Sequence, residues 1–547
     1  MVGVTSEGKQ PAILRDADTS RPPTRLTMPA MHEIELKFQI PADRLAAVRA
    51  ELGRLGADLA APLILQAAYF DTTDRQLARA RSALRVRREG DEWVQTLKAA
   101  GSNTMVRVED NQPALPPTEG QTVRPDLGRH SAAARQALIQ SLGWRPEADP
   151  QGERCGLVEL YRTDMRRTRA RLKVAEGTPH AGVVELALDE GAILAGSLRE
   201  PVRELEIELL SGHPRAVILA GLDWVHRFGL WLDTQTKAHR GDRLARLAAT
   251  VPAGERQGAH PPPQVTQAPA AKVPAGASLD QAWRAGLEAC LAHLSANMSE
   301  LATLPTGEGS EVAYEWRRGL RRLKAFARLM AHTSQAWPVE VVSRANSLIH
   351  QLGHWRDDEA LSWIPSQLQE AGGPNVPIPP APRPIELPAS AADLARSTQA
   401  TELSLCLLTA LVRSSEDDGE ARLPFEAWLH THLHRQHRVM RRHIREHQRL
   451  DDEEAHRLRR RLRDLRDVVQ LFTAARVPSS FDKTLDEAIS ALGRLQDEAV
   501  ARERYQAAST LDPRALFAAG WLLGRRLRTR TQARRALRRW ARCAAPW

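Results

Sequence analysis

The segment Glu33-Ile34-Glu35-Leu36-Lys37-Phe38-Gln39-Ile40 alternates strictly between polar and apolar side chains. A period of two suits an extended strand, with Glu33, Glu35 and Lys37 on one face and the apolar set on the other. The pattern recurs at Arg85 and Arg87, at Lys98, at Arg107 and Glu109, and at Arg167, Arg169 and Arg171. It returns at Glu185 and Asp189, then at Glu204, Glu206 and Glu208. Strands are therefore expected over 33–40, 83–88, 92–98, 105–110, 161–174, 182–189 and 202–210, with helices near 42–56, 74–80, 131–143 and 213–228.

One strand of this kind is ordinarily a solvated face. Six or more, half basic and half acidic, fit a shared interior better. A closed antiparallel barrel of about eight strands leaves room for one small ligand. Charged faces turned inward would offer cations to an oligophosphate and carboxylate oxygens to a hard divalent ion. The ordinary alternative fills the barrel with the apolar faces and leaves the charges in water.

The net charge of +10 makes an anionic partner the first expectation. Only eight of the 77 basic residues are lysine, so lysines are enriched where a compact point charge is required; Lys37, Lys98 and Lys237 all fall in charged segments. The four cysteines form no paired motif, which argues against a zinc site or a disulfide framework and fits a reducing compartment. No apolar run is long enough for a membrane span, and no signal-peptide pattern is present, so a cytoplasmic location is expected.

Residues 1–30 lack periodicity and read as a disordered extension. A Pro/Ala-rich stretch at 249–276 reads as a linker between a β-rich domain (31–248) and an all-α domain (277–547), giving an α+β chain.

In the second half, Arg317, Arg321, Lys324 and Arg328 share one helical face, opposite Trp316, Leu320, Leu323, Ala327 and Met330, with Arg322 beside them. His456, Arg459, Arg463 and Arg466 form a second such stripe. Acidic turns are expected after each, at 348–358 and 491–498, so the half reads as a degenerate duplication. Histidines at 430, 432, 434, 437, 443 and 447 show no metal-ligand spacing and read as added basic surface.

The ordered series Glu33-x-Glu35-x-Lys37, Tyr69-Phe70-Asp71-Thr72, Leu84-Arg85-Val86-Arg87, Lys98, Glu204-Leu205-Glu206-Ile207-Glu208 and Thr236-Lys237-Ala238-His239-Arg240-Gly241 resembles the CYTH family of triphosphate tunnel metalloenzymes. The resemblance implies an eight-stranded antiparallel tunnel that binds a triphosphate together with Mg²⁺ or Mn²⁺. It implies metal-binding roles for Glu33, Glu35, Glu204 and Glu206, with Glu208 a further candidate, and catalytic roles for Glu33, Glu35, Lys37, Glu185 and Glu204. Substrate contacts are implied for Lys37, Arg85, Arg87, Lys98, Arg107, Arg167 (or Arg166, one register along), Lys237 and Arg240, with Glu109 an interior acid.

The second half resembles the CHAD family, a helical domain of two related bundles, which implies polyphosphate binding by Arg317, Arg321, Arg322, Lys324, His456, Arg459, Arg463 and Arg466. Tyr314 stands where that family usually has a first-half histidine. The expected function is metal-dependent hydrolysis of inorganic triphosphate, at a cytoplasmic site associated with polyphosphate granules. A class IV type adenylate cyclase, a thiamine triphosphatase and a non-catalytic polyphosphate-binding scaffold are the alternatives. Nucleic acid is disfavoured, since few aromatics lie among the arginines to stack on bases.

Overall fold

A computed structural model describes residues 33–100, 106–117, 122–252, 259–331, 333, 339–380, 388–412, 423–446, 450–473 and 477–547. The expected extension at 1–30 lies outside them. Nine strands form the first half: β1 (Glu33–Gln39), β2 (Leu63–Asp71), β3 (Ser82–Glu89), β4 (Glu92–Ala100), β5 (Val106–Pro113), β6 (Val158–Val174), β7 (Gly182–Ala195), β8 (Leu198–Gly212) and β9 (Trp231–Leu232). Their helices are α1 (Leu45–Arg54), α2 (Gln76–Arg79), α3 (Ala132–Leu142), α4 (Arg215–Phe228) and α5 (Lys237–Thr250).

The strands make one antiparallel sheet in the order β5-β4-β3-β2-β6-β7-β8-β1-β9. The first strand of that order also pairs with β1, through Glu33↔Arg107 and Ile34↔Val106, so the sheet turns back on itself. Among the described residues this join is two residue pairs long, not a full closing ladder. The eight strands expected thus become nine, the extra one being the short β9 beside β1 at Phe38↔Leu232.

The ladders decide which face is inside. Lys37 lies opposite Glu206, and Glu35 opposite Glu208. Asp189 lies opposite Glu204 and Glu185 opposite Glu208, while Arg167 lies opposite Asp189. Ala67 faces Arg87 and Tyr69 faces Arg85, and Lys98 faces Glu109. Every charged set read from the sequence therefore shares one face of the curled sheet.

The apolar set takes the other face. Leu36, Phe38, Val184, Leu186, Leu188, Leu205 and Ile207 pack with Val217, Trp224 and Val225 of α4 and Val48 and Leu52 of α1. Leu84, Val86 and Leu97 pack with Leu77 and Leu138 of α2 and α3. The ordinary alternative, apolar faces within, does not hold.

Among its described residues the second half is helices joined by loops: α6 (Leu279–Thr303), α7 (Ser310–Met330), α8 (Val339–Leu361), α9 (Trp363–Glu370), α10 (Ala391–Ala395), α11 (Thr398–Val412), α12 (Phe425–Glu446), α13 (Asp452–Phe472), α14 (Ser479–Ala508) and α15 (Arg514–Arg542). The two expected acidic turns lie inside α8 and α14 instead. No seam separates the halves, since α4, the apolar face of the sheet and α6, α7, α11 and α13 belong to one buried cluster.

The expected linker is also different in kind. Residues 249–250 belong to the end of α5, and 259–276 lie along the helices as a strap. The Thr266 N–H donates to Asn297 Oδ1 at 3.1 Å, Ala271 N–H to Leu471 O at 2.8 Å, and Arg322 Nη2 reaches Pro269 O at 2.5 Å. Val265, Ala271 and Val273 pack on the core. His437, read as basic surface, is buried among Phe481, Trp540 and Trp547. Burial, with Arg441 and His434 adding repulsion, pulls it down to about 4, so it is neutral at pH 7.

Candidate functional site

The site is built where β1, β6, β7 and β8 present their inward faces to the start of α5. Thr236 caps that helix, its Oγ1 accepting from the His239 N–H at 3.0 Å. Lys237 is the first helical residue, and its ammonium enters a carboxylate cluster, 2.7 Å from Asp189, 2.5 Å from Glu204 and 2.8 Å from Glu206. The positive end of the helix points the same way and adds to this attraction. Arg167 closes the cluster from β6, with Nε and Nη2 both 2.6 Å from Asp189 and Nη2 2.5 Å from Glu206. Arg166 pairs with Glu190 on the opposite face, so Arg167 is the inward residue.

Burial alone would push the Glu204 carboxyl up; Lys237, Lys37 and Arg240 outweigh it and bring it down to about 2. Glu206, equally resisted by burial, is held well below the usual carboxylate range by Lys237 and Arg167. Burial would lower Lys237, but Asp189, Glu204 and Glu206 hold it well above the usual lysine value. All of these groups are charged at neutral pH.

Lys37 stands 3.4 Å from Glu204 and 4.0 Å from Asp233. Gln39 Nε2 ties the same two carboxylates together, at 3.1 Å and 2.8 Å. Arg240 anchors α5 to β8 through Glu200 at 2.6 Å and the Pro201 carbonyl at 3.1 Å, with Glu204 3.7 Å away.

Across the interior, Arg85 lies 3.4 Å from the Tyr69 hydroxyl and 3.8 Å from Glu109. Lys98 also pairs with Glu109, and Arg87 with Glu89. The Nε atoms of Arg85 and Arg87 are buried with no hydrogen-bond partner among the described residues. Burial, followed by repulsion from Arg85, lowers the Arg87 guanidinium, and Arg167 adds to that repulsion. A set of cations thus faces the carboxylates across the cavity.

A second acidic group sits farther along the same strands, where Glu35, Glu208 and Glu185 are consecutive cross-strand neighbours. Burial, with Glu185 and Glu35 as like charges, raises Glu208. Arg169 stands 3.6 Å from Glu185. The side chains of Glu33 and Arg107 lie outside the described residues; their backbones pair with each other.

The apolar end of the cavity is filled by α5, whose Leu244, Ala245 and Leu247 pack on Leu65, Tyr69, Tyr161, Met165, Ile193 and Val202. Gly241 is required for this seat, because a Cβ there would fall 2.2 Å from the Tyr161 ring. Tyr161 in turn donates to the Ala238 carbonyl at 3.0 Å. Asp71 of the Tyr69–Thr72 motif has a structural task. Its buried carboxylate accepts from the N–H groups of Thr72, Leu77 and Ala78 at 2.7–2.9 Å, capping α2.

Asp189, Glu204 and Glu206 offer oxygens within 4.8 Å of one another, a donor set suited to a hard divalent cation. Sequence reasoning placed Asp189 inward without giving it a ligand role. Its opposition to Glu204 on the next strand was the missing signal, since register is not visible within a single strand.

In the helical half, α7 and α13 are pinned together by Arg328–Asp464 at 2.6 Å and by Arg318 Nη2 on Gln470 at 3.0 Å. This sets Arg321 of α7 against Arg459 and Arg463 of α13, with Arg317 beside it. Burial and then Arg317, Arg463 and Arg459 depress Arg321 to about 9, with Asp467 offsetting only part. Burial and Arg459 bring Arg463 to about 10. Lys324 is lowered by burial and by Arg328 in the same group. Gly493 of α14 lets the Arg459 guanidinium lie close, 3.0 Å from where a Cβ would stand. Arg466 is drawn toward Asp467 and Asp486, at 3.2 Å and 3.4 Å. His456 is exposed near the start of α13. Arg322 is not part of the cluster; it is buried under the strap.

Comparison with known proteins agrees with this division. Residues 31–230 match the CYTH domain family and residues 285–506 the CHAD domain family. The inorganic triphosphatase of Haemophilus influenzae is 27% identical over 219 residues, which cover 39% of this chain and 54% of that protein. The chain thus spans about half the length of this curated relative. Among solved structures, the CHAD domain from the plant Ricinus communis aligns over 53% of this chain and 99% of its own, with 21% identity and a TM-score of 0.37. A putative adenylyl cyclase from Hippeastrum, described as having a dominant triphosphatase activity, aligns over 41% of this chain and 99% of its own, with 22% identity and a TM-score of 0.27.

Proposed function

For a chain that carries a CYTH domain followed by a CHAD domain, we propose that the curled sheet binds inorganic triphosphate and hydrolyses it with Mg²⁺ or Mn²⁺, while the helical half binds polyphosphate. The observation that carries this reading is the shared inward face: Arg85, Arg87 and Lys98 on β3 and β4 lie on the same face of the curled sheet as Arg167 on β6, which is bonded to Asp189 and Glu206 beside Glu204 on β7 and β8. The curated relative called an inorganic triphosphatase supports the choice of substrate.

Phosphoryl transfer asks the protein mainly to hold phosphates in line and neutralise their oxygens. Arg85 and Arg87 have buried donor capacity for two phosphate groups, and Arg is suited to bidentate contact. Lys37 and Lys237 rest on the carboxylates, where they can follow charge as it shifts to the leaving phosphate. Asp189, Glu204 and Glu206 would hold the divalent cation, with Glu35, Glu185 and Glu208 a second oxygen set. Bound there, the cation supplies neutralisation of phosphate oxygens and orientation of water. The apolar packing of α5 keeps bulk water out of one end. In the helical half, a polyanion laid between α7 and α13 relieves the repulsion among Arg317, Arg321, Arg459 and Arg463.

The test is phosphate release from inorganic triphosphate, thiamine triphosphate, ATP and long-chain polyphosphate, side by side with Mg²⁺ or Mn²⁺, with Glu35→Ala as the control. Metal-dependent release from inorganic triphosphate, lost in the variant, is the expected result. Release from none of the four, with polyphosphate still bound, would replace hydrolysis by capture.

A further inference from the structure

The helical half reaches into the first half at the end of α6. Glu300 is buried there, 2% exposed, and accepts from four donors. Arg243 of α5 supplies two, Nη1 at 2.6 Å and Nη2 at 2.8 Å; Gln235 Nε2 and the Gln264 N–H each stand at 2.9 Å. Next to it, Ser299 Oγ accepts from the Thr234 N–H at 2.9 Å. Thr234 and Gln235 lead directly into the Thr236 cap and Lys237. Arg243 lies less than two turns farther along α5. Lys237 is therefore bracketed, before and after, by bonds to one carboxylate of the other domain.

We infer that Glu300 is a positioning residue for the tunnel: by fixing the approach to α5 and its second turn, it seats the Lys237 ammonium among Asp189, Glu204 and Glu206. The inference rests on the reading of that cavity as the triphosphate site. Its physical basis is the number of bonds involved. A single buried acceptor satisfied by four donors, two of them from one guanidinium, is a rigid joint rather than a surface contact. Lys237 also uses the same three carboxylates that a cation would use, so the ammonium and a divalent ion compete for them. How firmly Glu300 holds α5 then sets how readily the ion displaces the ammonium.

Another contact between the halves provides the comparison. Glu402 of α11 accepts from His226 of α4 at 2.7 Å and pairs with Arg344 of α8. It touches the helix behind the sheet and, among the described residues, bonds to His226 and Arg344 rather than to α5, so loosening it tests general damage to the interface.

The experiment uses the full-length protein with Glu300→Gln, Arg243→Gln and Glu402→Gln. Acylation of Lys237 by an amine-reactive ester is followed by peptide mass mapping without added metal, with the exposed Lys173 as internal reference. Lys237 should be protected in the unmodified protein. Its rate should rise about tenfold in Glu300→Gln and Arg243→Gln, as for loss of one charge-assisted hydrogen bond, and stay unchanged in Glu402→Gln. Equal rates in all four proteins, or an equal rise in Glu402→Gln, overturn the inference. Free Mn²⁺ counted by electron paramagnetic resonance gives a second readout: Glu300→Gln should bind Mn²⁺ more tightly while its KM for triphosphate rises. General damage would weaken both, and that result also overturns the inference. If labelling responds as expected but no triphosphate is turned over by any of the proteins, the positioning stands and the hydrolytic reading falls.

Discussion

Both halves of this molecule gather cations, but they balance them in opposite ways. Inside the curled sheet, Lys237, Arg167 and Lys98 each rest against carboxylates, and Glu204 and Glu206 are pulled down while Lys237 is pulled up. On the helical face, Arg321 is crowded by Arg317, Arg459 and Arg463 and is pushed down instead. The cluster around Lys237 is internally paired, so a ligand there must bring a matching arrangement of its own charges to displace what is there. The second is internally frustrated, so any dense line of negative charge improves it. A cluster of paired charges and a face of mutually repelling cations are thus joined in one chain.

The strongest test of this contrast is Glu206→Gln. It removes the carboxylate shared by Lys237 and Arg167 and should lower triphosphate turnover about a hundredfold to a thousandfold, the cost of losing one preorganised charge, measured by phosphate release. A loss of polyphosphate binding of similar size would break the contrast.

Acid provides the next test. The folded Glu204 titrates at about 2 against an ordinary 4.5. A depressed carboxylate contributes stability that is fully present above pH 4.5 and is lost as pH falls toward 2. The loss should be about 3 kcal/mol from this group, read from thermal midpoints across that range. Lys237→Met should flatten that dependence, because the strongest of its neutralising cations is gone.

A smaller effect is expected on the helical face. Arg321→Ala should weaken long-chain polyphosphate binding about tenfold, the value of one charged hydrogen bond, while the thermal midpoint holds or rises. That pairing of weaker binding with undiminished stability is the mark of relieved repulsion; a fall in both would mean that the cluster is balanced like the tunnel. Least of all, Gly493→Ala should weaken the same binding about twofold, because its Cβ only nudges the flexible end of Arg459.

What was legible in the sequence follows the same line. Strands with one charged and one apolar face, such as β1 and β8, declare themselves because the two faces meet different surroundings. β2 does not: in Leu63-Ile64-Leu65-Gln66-Ala67-Ala68-Tyr69, Leu65 and Tyr69 meet α5 while Ala68 meets the α2–α3 side, so the alternation is erased. The inward charges were readable, but the partnership of Asp189 with Glu204 and Glu206 depends on register between strands. Arg322 looked like one more member of a basic stripe. It is buried between the strap and the neighbouring helices, near Cys290 and Asp467, partners that lie outside α7. The strap looked like a linker because its bonds to Asn297, Leu471 and Arg322 are made by backbone atoms, which any residue can supply.

The seamless core has a consequence for biosynthesis. Leu232 N–H donates to Thr401 Oγ1, a partner 169 residues later in the chain, and α4 packs on α11 in the same region. A ribosome adding residues at roughly 5–20 per second leaves that apolar face of α4 uncovered for on the order of ten seconds or more. For that interval the strands are all made, yet the apolar back of the sheet and α4 stays open to any partner that binds apolar surface.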